Sequence, residues 1–217
     1  MALYEDFLSR VLVEVPGCAD ISAILAVKDT CIEFCEKSLI LTRDHDPITI
    51  YQNQVDYDLE GPETGTVVIK VMRAWIENTP IEPMFPDIVT DASVYNRLYG
   101  SFEAAPSMPQ RYLQKSERTI SVWPLPDKTY ANGLTLRVAL KPARNSTSVD
   151  DVIYEDYVDV IAAGAMSKLM RSSGKPYSDL RLAEGRRGEF MAGLNVARQR
   201  AGHGHTRSNL RVRLARI

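Results

Sequence analysis

Cysteine and histidine are scarce in this chain: Cys18, Cys31 and Cys35, with His45, His203 and His205, are all that 217 residues hold. Three cysteines, sparse and odd in number, do not make the closed disulfide framework of a small secreted scaffold. Cys31 and Cys35 stand four apart in a predicted helix and so share a face. With no fourth ligand at useful spacing, they read as small buried hydrophobes in a reducing compartment, not as a metal site. No apolar run reaches the ~18 residues of a membrane span. The opening MALYEDFLSR carries acids where a signal peptide carries bases. The chain is therefore expected in cytosol-like conditions, where the sequon Asn145-Ser146-Thr147 has no meaning.

Catalytic signatures are missing as well. There is no GxSxG, no HExxH, no phosphate-cradling glycine loop ahead of a helix and no dinucleotide fingerprint. Gly185-Arg186-Arg187-Gly188 lies inside a helical pattern instead of following a strand. Asp44-His45-Asp46 sits in a short polar link, and three adjacent residues seldom converge on one ion, so a solvated turn is the better interpretation. His203 and His205 share that problem. No catalysis, no metal and no cofactor are expected.

What is present is an ordinary globular composition, 45% hydrophobic and 25% charged, in a chain long enough to bury about 70% of its unfolded surface. Its net charge of −2 is unevenly spread. Residues 181–217 hold nine arginines against Glu184 and Glu189, a surplus of seven, so residues 1–180 carry −9. An acidic body with a basic tail calls for a partner of the tail, either acidic protein or nucleic acid.

Residues 148–173 organise the rest. Ser148 is placed at an N-cap with Asp151 three residues on, and Asp150, Glu155 and Asp156 lie near the positive end of the helix dipole. Lys168 and Arg171 mark the last turn, before Gly174 and Pro176. Between them Tyr157 to Met166 carries a single charge, Asp159. A helix apolar on nearly every side must touch several neighbours, and Ala162, Ala163, Gly164 and Ala165 let them come close. This is predicted to be the central helix of a bundle.

Two helices precede it: a short amphipathic one over 3–13 with Leu3, Phe7 and Val11 inward, stopped at Pro16-Gly17, and one capped by Asp20. The second is expected to bury Ile21, Ile24, Leu25, Cys31, Ile32, Cys35 and Leu39. Beyond Thr42 the period changes to two. Val55, Tyr57 and Leu59 alternate with Asp56, Asp58 and Glu60, TVVIKVMRAWIE is a further strand, and Leu134, Leu136, Val138 and Leu140 alternate with Thr135 and Arg137. RTISVWPLP is expected to end at an edge, at Pro124 and Pro126. Within the proline-rich interval 78–118, IEPMFPDIV resembles a loop and VYNRLYGSF a strand or short helix. Residues 47–142 thus form an antiparallel, mostly β segment between helices.

The chain from Pro176 to Ala201 is predicted as a long helix with Leu182, Phe190, Leu194 and Ala197 inward and arginines outward, ended by Gly202 and Gly204. Gly185, Gly188 and Gly193 weaken it by up to ~1 kcal/mol each, so it needs support from neighbours or other subunits. In His203–Ile217, Leu210, Val212 and Leu214 alternate with Arg211 and Arg213, the pattern of a strand without a sheet. Such a segment can join the sheet edge of another chain, fold back on its own β segment, or remain a disordered basic tail.

Taken in order, DTCIEFCEKS, TRDHDPITIYQNQVDYDL, SVWPLPD, LTLRVALKPA, YEDYVDVIAAGAMSKL and RLAEGRRGEFMAGLNVARQRAG span most of residues 20–202. This series resembles the head-to-tail adaptor of tailed bacteriophages, the tail tubular protein A type of short-tailed phages. Nothing is carried over to 78–118. The resemblance implies an α+β fold: a helical bundle (1–46 and 147–202), an antiparallel β domain (47–146) inserted between helices 2 and 3, and an extended C-terminal arm (203–217). It implies a non-enzymatic virion protein, put together in the host cytoplasm, with twelve copies in a ring below the portal. That ring would extend the DNA channel and offer a docking surface to a nozzle or tail protein, with genomic DNA passing through unread and no membrane involved. Portal binding would fall to the arm, at Leu210, Arg211, Val212, Arg213, Leu214 and Arg216, and ring or portal contacts to Arg186, Arg187, Arg198 and Arg200. Two alternatives stand beside it. One is a tail-completion protein of a long-tailed phage. The other is a DNA-binding accessory protein using the arginine-rich end, although that end lacks interleaved aromatics for stacking.

Overall fold

The computed structural model describes residues 1–84 and 106–203, and the described residues form a mixed α+β protein. The chain divides into two compact units: Met1–Ile40 together with the chain from Ser148, and Leu41–Thr147.

The first unit is helical. A two-residue ladder joins β1 (Ala2–Leu3) to β10 (Ser148–Val149), followed by a 3-10 turn, Tyr4–Phe7, and one turn of α1, Leu8–Val11. The amphipathic helix expected over 3–13 is therefore broken into three pieces. Phe7 and Val11 are buried as expected, but Leu3 is exposed and Tyr4 takes the inward position. The reason is the ladder, which points Ala2 inward and its neighbour Leu3 out.

Helix α2 (Asp20–Ser38) begins with Ala19 at the capping position. Asp20 is not the cap; it is the first helical residue, where its charge faces the helix dipole. The helix ends at Leu39, whose left-handed φ of 54° turns the chain while its N–H bonds Cys35 at 3.0 Å. Its buried residues are Ala23, Ala26, Val27, Thr30, Cys31, Ile32, Phe34, Cys35 and Ser38. Ile21 and Leu25, expected inside, are 74% and 54% exposed. The small residues won those inward places.

Helix α3 (Asp151–Met170) is capped by Asp150, whose carboxylate accepts the Val152 N–H at 2.9 Å; Ser148, the expected cap, is in β10. From Ile161 to Ser167 every residue is buried, as a helix with neighbours on several sides requires. Gly164 gives the reason for the small residues. A Cβ there would lie 2.5 Å from Thr30 of α2 and 2.6 Å from Phe190 of α4. Tyr157 departs from helical geometry (φ −132°, ψ 15°) and its ring lies 5.0 Å from that of Phe34.

Helix α4 (Leu180–His203) runs through Gly202, past its expected end, and buries Ala183, Phe190, Leu194 and Ala197. Leu182, expected inward, is exposed; Ala183 holds the inward place, and the Leu182 N–H is taken by Asp179 at 3.0 Å. Burying a side chain such as Phe190 stabilises the unit by ~1.5–3 kcal/mol.

The second unit is a curled sheet of β2 (Thr42–Asp44), β3 (Ile48–Ile50), β4 (Asp56–Asp58), β5 (Thr66–Ile76), β6 (Thr79–Pro83), β7 (Arg111–Ser116), β8 (Thr119–Trp123) and β9 (Tyr130–Pro142). Their order is β2-β9-β5-β6-β7-β8-β4, with β3 also on β9. All pairs are antiparallel except β6–β7, which is parallel. The sheet starts earlier than residue 47, because Thr42–Asp44 is too short and polar to show alternation. Irregularities of register at Val68/Lys70 and Val71/Arg73 bend β5 against β9. The five-residue link Tyr51–Val55 ties β3, on β9, to β4, on β8. Tyr57 holds that link by donating to the Gln54 carbonyl at 2.7 Å and accepting the Tyr51 N–H at 3.1 Å. Leu134, Leu136, Val138 and Leu140 are all buried and Arg137 is exposed, as period two demands.

Two expectations need correction. Strand β8 ends before Pro124 but lies between β7 and β4, so the edge at that end of the sheet is β4. Part of the interval expected to be a loop forms β6, joined to β5 by Glu77-Asn78, both at positive φ (45° and 67°), as a two-residue hairpin requires. VYNRLYGSF lies outside the described residues.

Candidate functional site

The arginines of α4 are the expected contact residues that fall among the described ones. Leu210, Arg211, Val212, Arg213, Leu214 and Arg216 lie outside them.

Glu33, on α2, is the centre of a charge cluster. Its carboxylate receives Lys37 at 2.6 Å from the same helix, Lys168 of α3 at 3.2 Å and Arg187 of α4 at 2.7 Å. Burial pushes Glu33 up, but the hydrogen bonds from Arg187, Lys37 and Lys168 outweigh it and bring the carboxyl down to about 2. Arg187 also stacks over the Phe190 ring at 5.1 Å. One carboxylate thus ties three helices together. Only the Glu33–Lys37 spacing of four was visible in the sequence; the other two partners are over 100 residues away.

Arg186 binds Glu189 at 2.8 Å and also reaches Glu14, and these carboxylates raise the pKa of its guanidinium. Arg200 binds Asp156 at 2.8 Å and donates to the Tyr157 hydroxyl at 3.4 Å. Arg198 is exposed and has no carboxylate partner among the described residues. Three of the four arginines therefore serve the helical unit itself, and Arg198 is the one whose charge is available to a partner.

A groove of about 500 Å3 opens beside α1, lined by Arg10, Val13, Glu14, Asp159, Met166 and Arg186 among others. Arg10–Asp159 at 3.4 Å and Arg186–Glu14 neutralise one another across it. It therefore has no surplus charge with which to hold an ionic ligand.

The His45 ring bridges backbone, with Nδ1 2.6 Å from the Asp46 carbonyl and Nε2 2.8 Å from that of Glu60. It pins the link after β2. Cys31 and Cys35 are fully buried. Burial raises both thiols, Cys35 to about 12, so neither supplies a thiolate near neutrality. Among the described residues no group of three His, Cys, Asp or Glu could hold a metal, and no helix is long and apolar enough to cross a membrane.

Against this geometry, no family model matches the chain, and no curated protein is similar to it.

Proposed function

We propose that this protein is a non-catalytic structural component, a head-to-tail adaptor of which twelve copies form a ring below a phage portal. The single observation supporting this is the order of elements along the chain. Helices α1 and α2, a sheet unit over Leu41–Thr147, a small-residue helix α3 and a long α4 follow one another in the order the sequence motifs resemble. In this proposal the helical elements form a bundle into which an antiparallel β domain is inserted. The ring extends the DNA channel, the acidic body repels passing DNA, and a nozzle or tail protein docks on the far side. The arm 203–217 reaches the portal, where Leu210, Val212 and Leu214 pair with a sheet edge and Arg211, Arg213 and Arg216 meet acidic surface. Repetition around the ring multiplies each weak contact.

Imaging of purified protein mixed with portal particles tests this. A ring at the portal is the expected result, and truncation after Gly202 abolishes attachment while leaving a soluble protein. Absence of a ring, or strong duplex binding in a gel shift at moderate salt, overturns it; the latter outcome favours a DNA-binding accessory protein.

A further inference from the structure

The sheet has an end at β4, whose outer side has no strand partner among the described residues; just beyond it His45 Nε2 meets the Glu60 carbonyl at 2.8 Å. β4 pairs with β8 on one side only, through Asp56↔Ser121, Tyr57↔Ile120 and Asp58↔Thr119. Val55 accepts from Val122 at 3.0 Å and Leu59 donates to Arg118 at 2.8 Å. In an antiparallel ladder alternate residues address the same neighbour, so residues 55, 57 and 59 face β8. Asp56 and Asp58 direct their backbone groups away from it. The Asp56 carbonyl takes the Gln54 side-chain amide at 2.9 Å. The N–H groups of Asp56 and Asp58 and the Asp58 carbonyl have no partner among the described residues.

The side chains of this edge decide what it can accept. Tyr57 and Leu59 are buried on the core face, and Val55 is half-buried beside them. Asp56, Asp58 and Glu60 are exposed on the other face. Asp56 is engaged by Lys115 at 2.6 Å and by the Ser121 hydroxyl, while Asp58 has no ion pair among the described residues. Two such edges repel one another, since like charges directly opposite are destabilising. A strand of apolar and basic residues in alternation is the complement.

The chain has one such segment, Leu210-Arg211-Val212-Arg213-Leu214, beyond the end of α4. Laid antiparallel on β4, it sets Leu214, Val212 and Leu210 beside Val55, Tyr57 and Leu59, and Arg213 and Arg211 opposite Asp56 and Asp58. The three apolar positions match in hydropathy; of the two acidic ones, Asp58 has no ion pair among the described residues and Asp56 shares its carboxylate with Lys115. We infer that the outer β4 edge is a docking site for residues 210–214 of a second copy of this chain, which adds a strand to the sheet. The clasp needs no portal and does not depend on the adaptor proposal. It would hold the basic segment of unattached protein until a competing acceptor takes it.

The test uses the full chain, with sedimentation for association and backbone amide exchange at Asp56 and Asp58 for the site. The wild type associates as concentration rises, and those amides become protected in parallel. Asp58→Arg and Arg211→Asp each weaken association about tenfold, and the double variant restores it to within a few fold, as expected for opposed charges across a ladder. A peptide of residues 203–217 competes and dissociates the assembly. Exposed amides with a monomeric wild type overturn the inference. So does protection that persists unchanged on dilution, because the segment then occupies its own sheet; so does a double variant as weak as either single one. Asp58 is exposed and has no ion pair among the described residues, so its reversal leaves the fold intact. Asp58→Arg protein that still attaches to portals separates this inference from the adaptor proposal, which needs the arm and not the edge.

Discussion

The packed side and the outer side of helices α3 and α4 use glycine in opposite ways. In α3, Gly164 is a point of close approach, with Thr30 on one side and Phe190 on the other, nearer than any Cβ tolerates. Gly193 of α4 resembles it: a Cβ there would lie 2.5 Å from the Val160 side chain. Gly185 and Gly188, on the outer side of α4, meet nothing within 4 Å. The same residue type is therefore required by packing at two sites and is a cost of ~1 kcal/mol, unrelieved among the described residues, at two others. A glycine in a helix says nothing about its purpose until its neighbours are known.

Substitutions sharpen this contrast, and the largest effect is expected on the packed side. Phe190→Ala removes the ring that lies against Gly164 and Phe34 and should cost about 3–5 kcal/mol. It should appear as a lower urea midpoint with an unchanged slope. Gly164→Val overpacks the same place and should cost about 2–3 kcal/mol; a thermal midpoint equal to wild type would mean that α2 and α4 do not close on α3.

Glu33→Gln comes next. Its three cations remain, with 27–48% of their side chains exposed, so solvent screens the loss to about 1–2 kcal/mol. The sign of its pH dependence is fixed. The carboxyl lies at about 2 in the folded protein and at 4.5 ordinarily, so its stabilisation is complete above pH 4.5 and disappears as pH falls towards 2. Wild type and Glu33→Gln should therefore converge in stability on acidification, which denaturant titrations at several pH values would show. The smallest effect has the opposite sign: Gly188→Ala should raise stability by up to ~1 kcal/mol, measured by thermal melting.

The sheet was more legible than the helices, for a geometric reason. In a strand each residue has only two directions, so Leu134, Leu136, Val138 and Leu140 declare their face by alternation. In α2 the circle is wider, and a hydrophobic stripe containing Ile21 and Leu25 was as consistent with the sequence as the buried one built on Ala23, Ala26 and Val27. Packing distance made the choice, and distance is a property of the neighbouring helix. Leu182 and Ala183 differ for the same reason. Of the candidate contact residues, Arg186, Arg187 and Arg200 were visible as a basic helix, but their carboxylate partners Glu14, Glu33 and Asp156 come from remote parts of the chain.

By itself the sequence determined the strands of the sheet core, the central place of the helix around Gly164, and the basic alternation of residues 210–214, because each is written in local period and composition. Only the tertiary structure decided that Asp150 and not Ser148 caps α3, that one glutamate gathers three cations, and that the sheet ends at β4 instead of β8. Those outcomes depend on which segments meet, and meetings across a hundred residues leave no mark on local pattern.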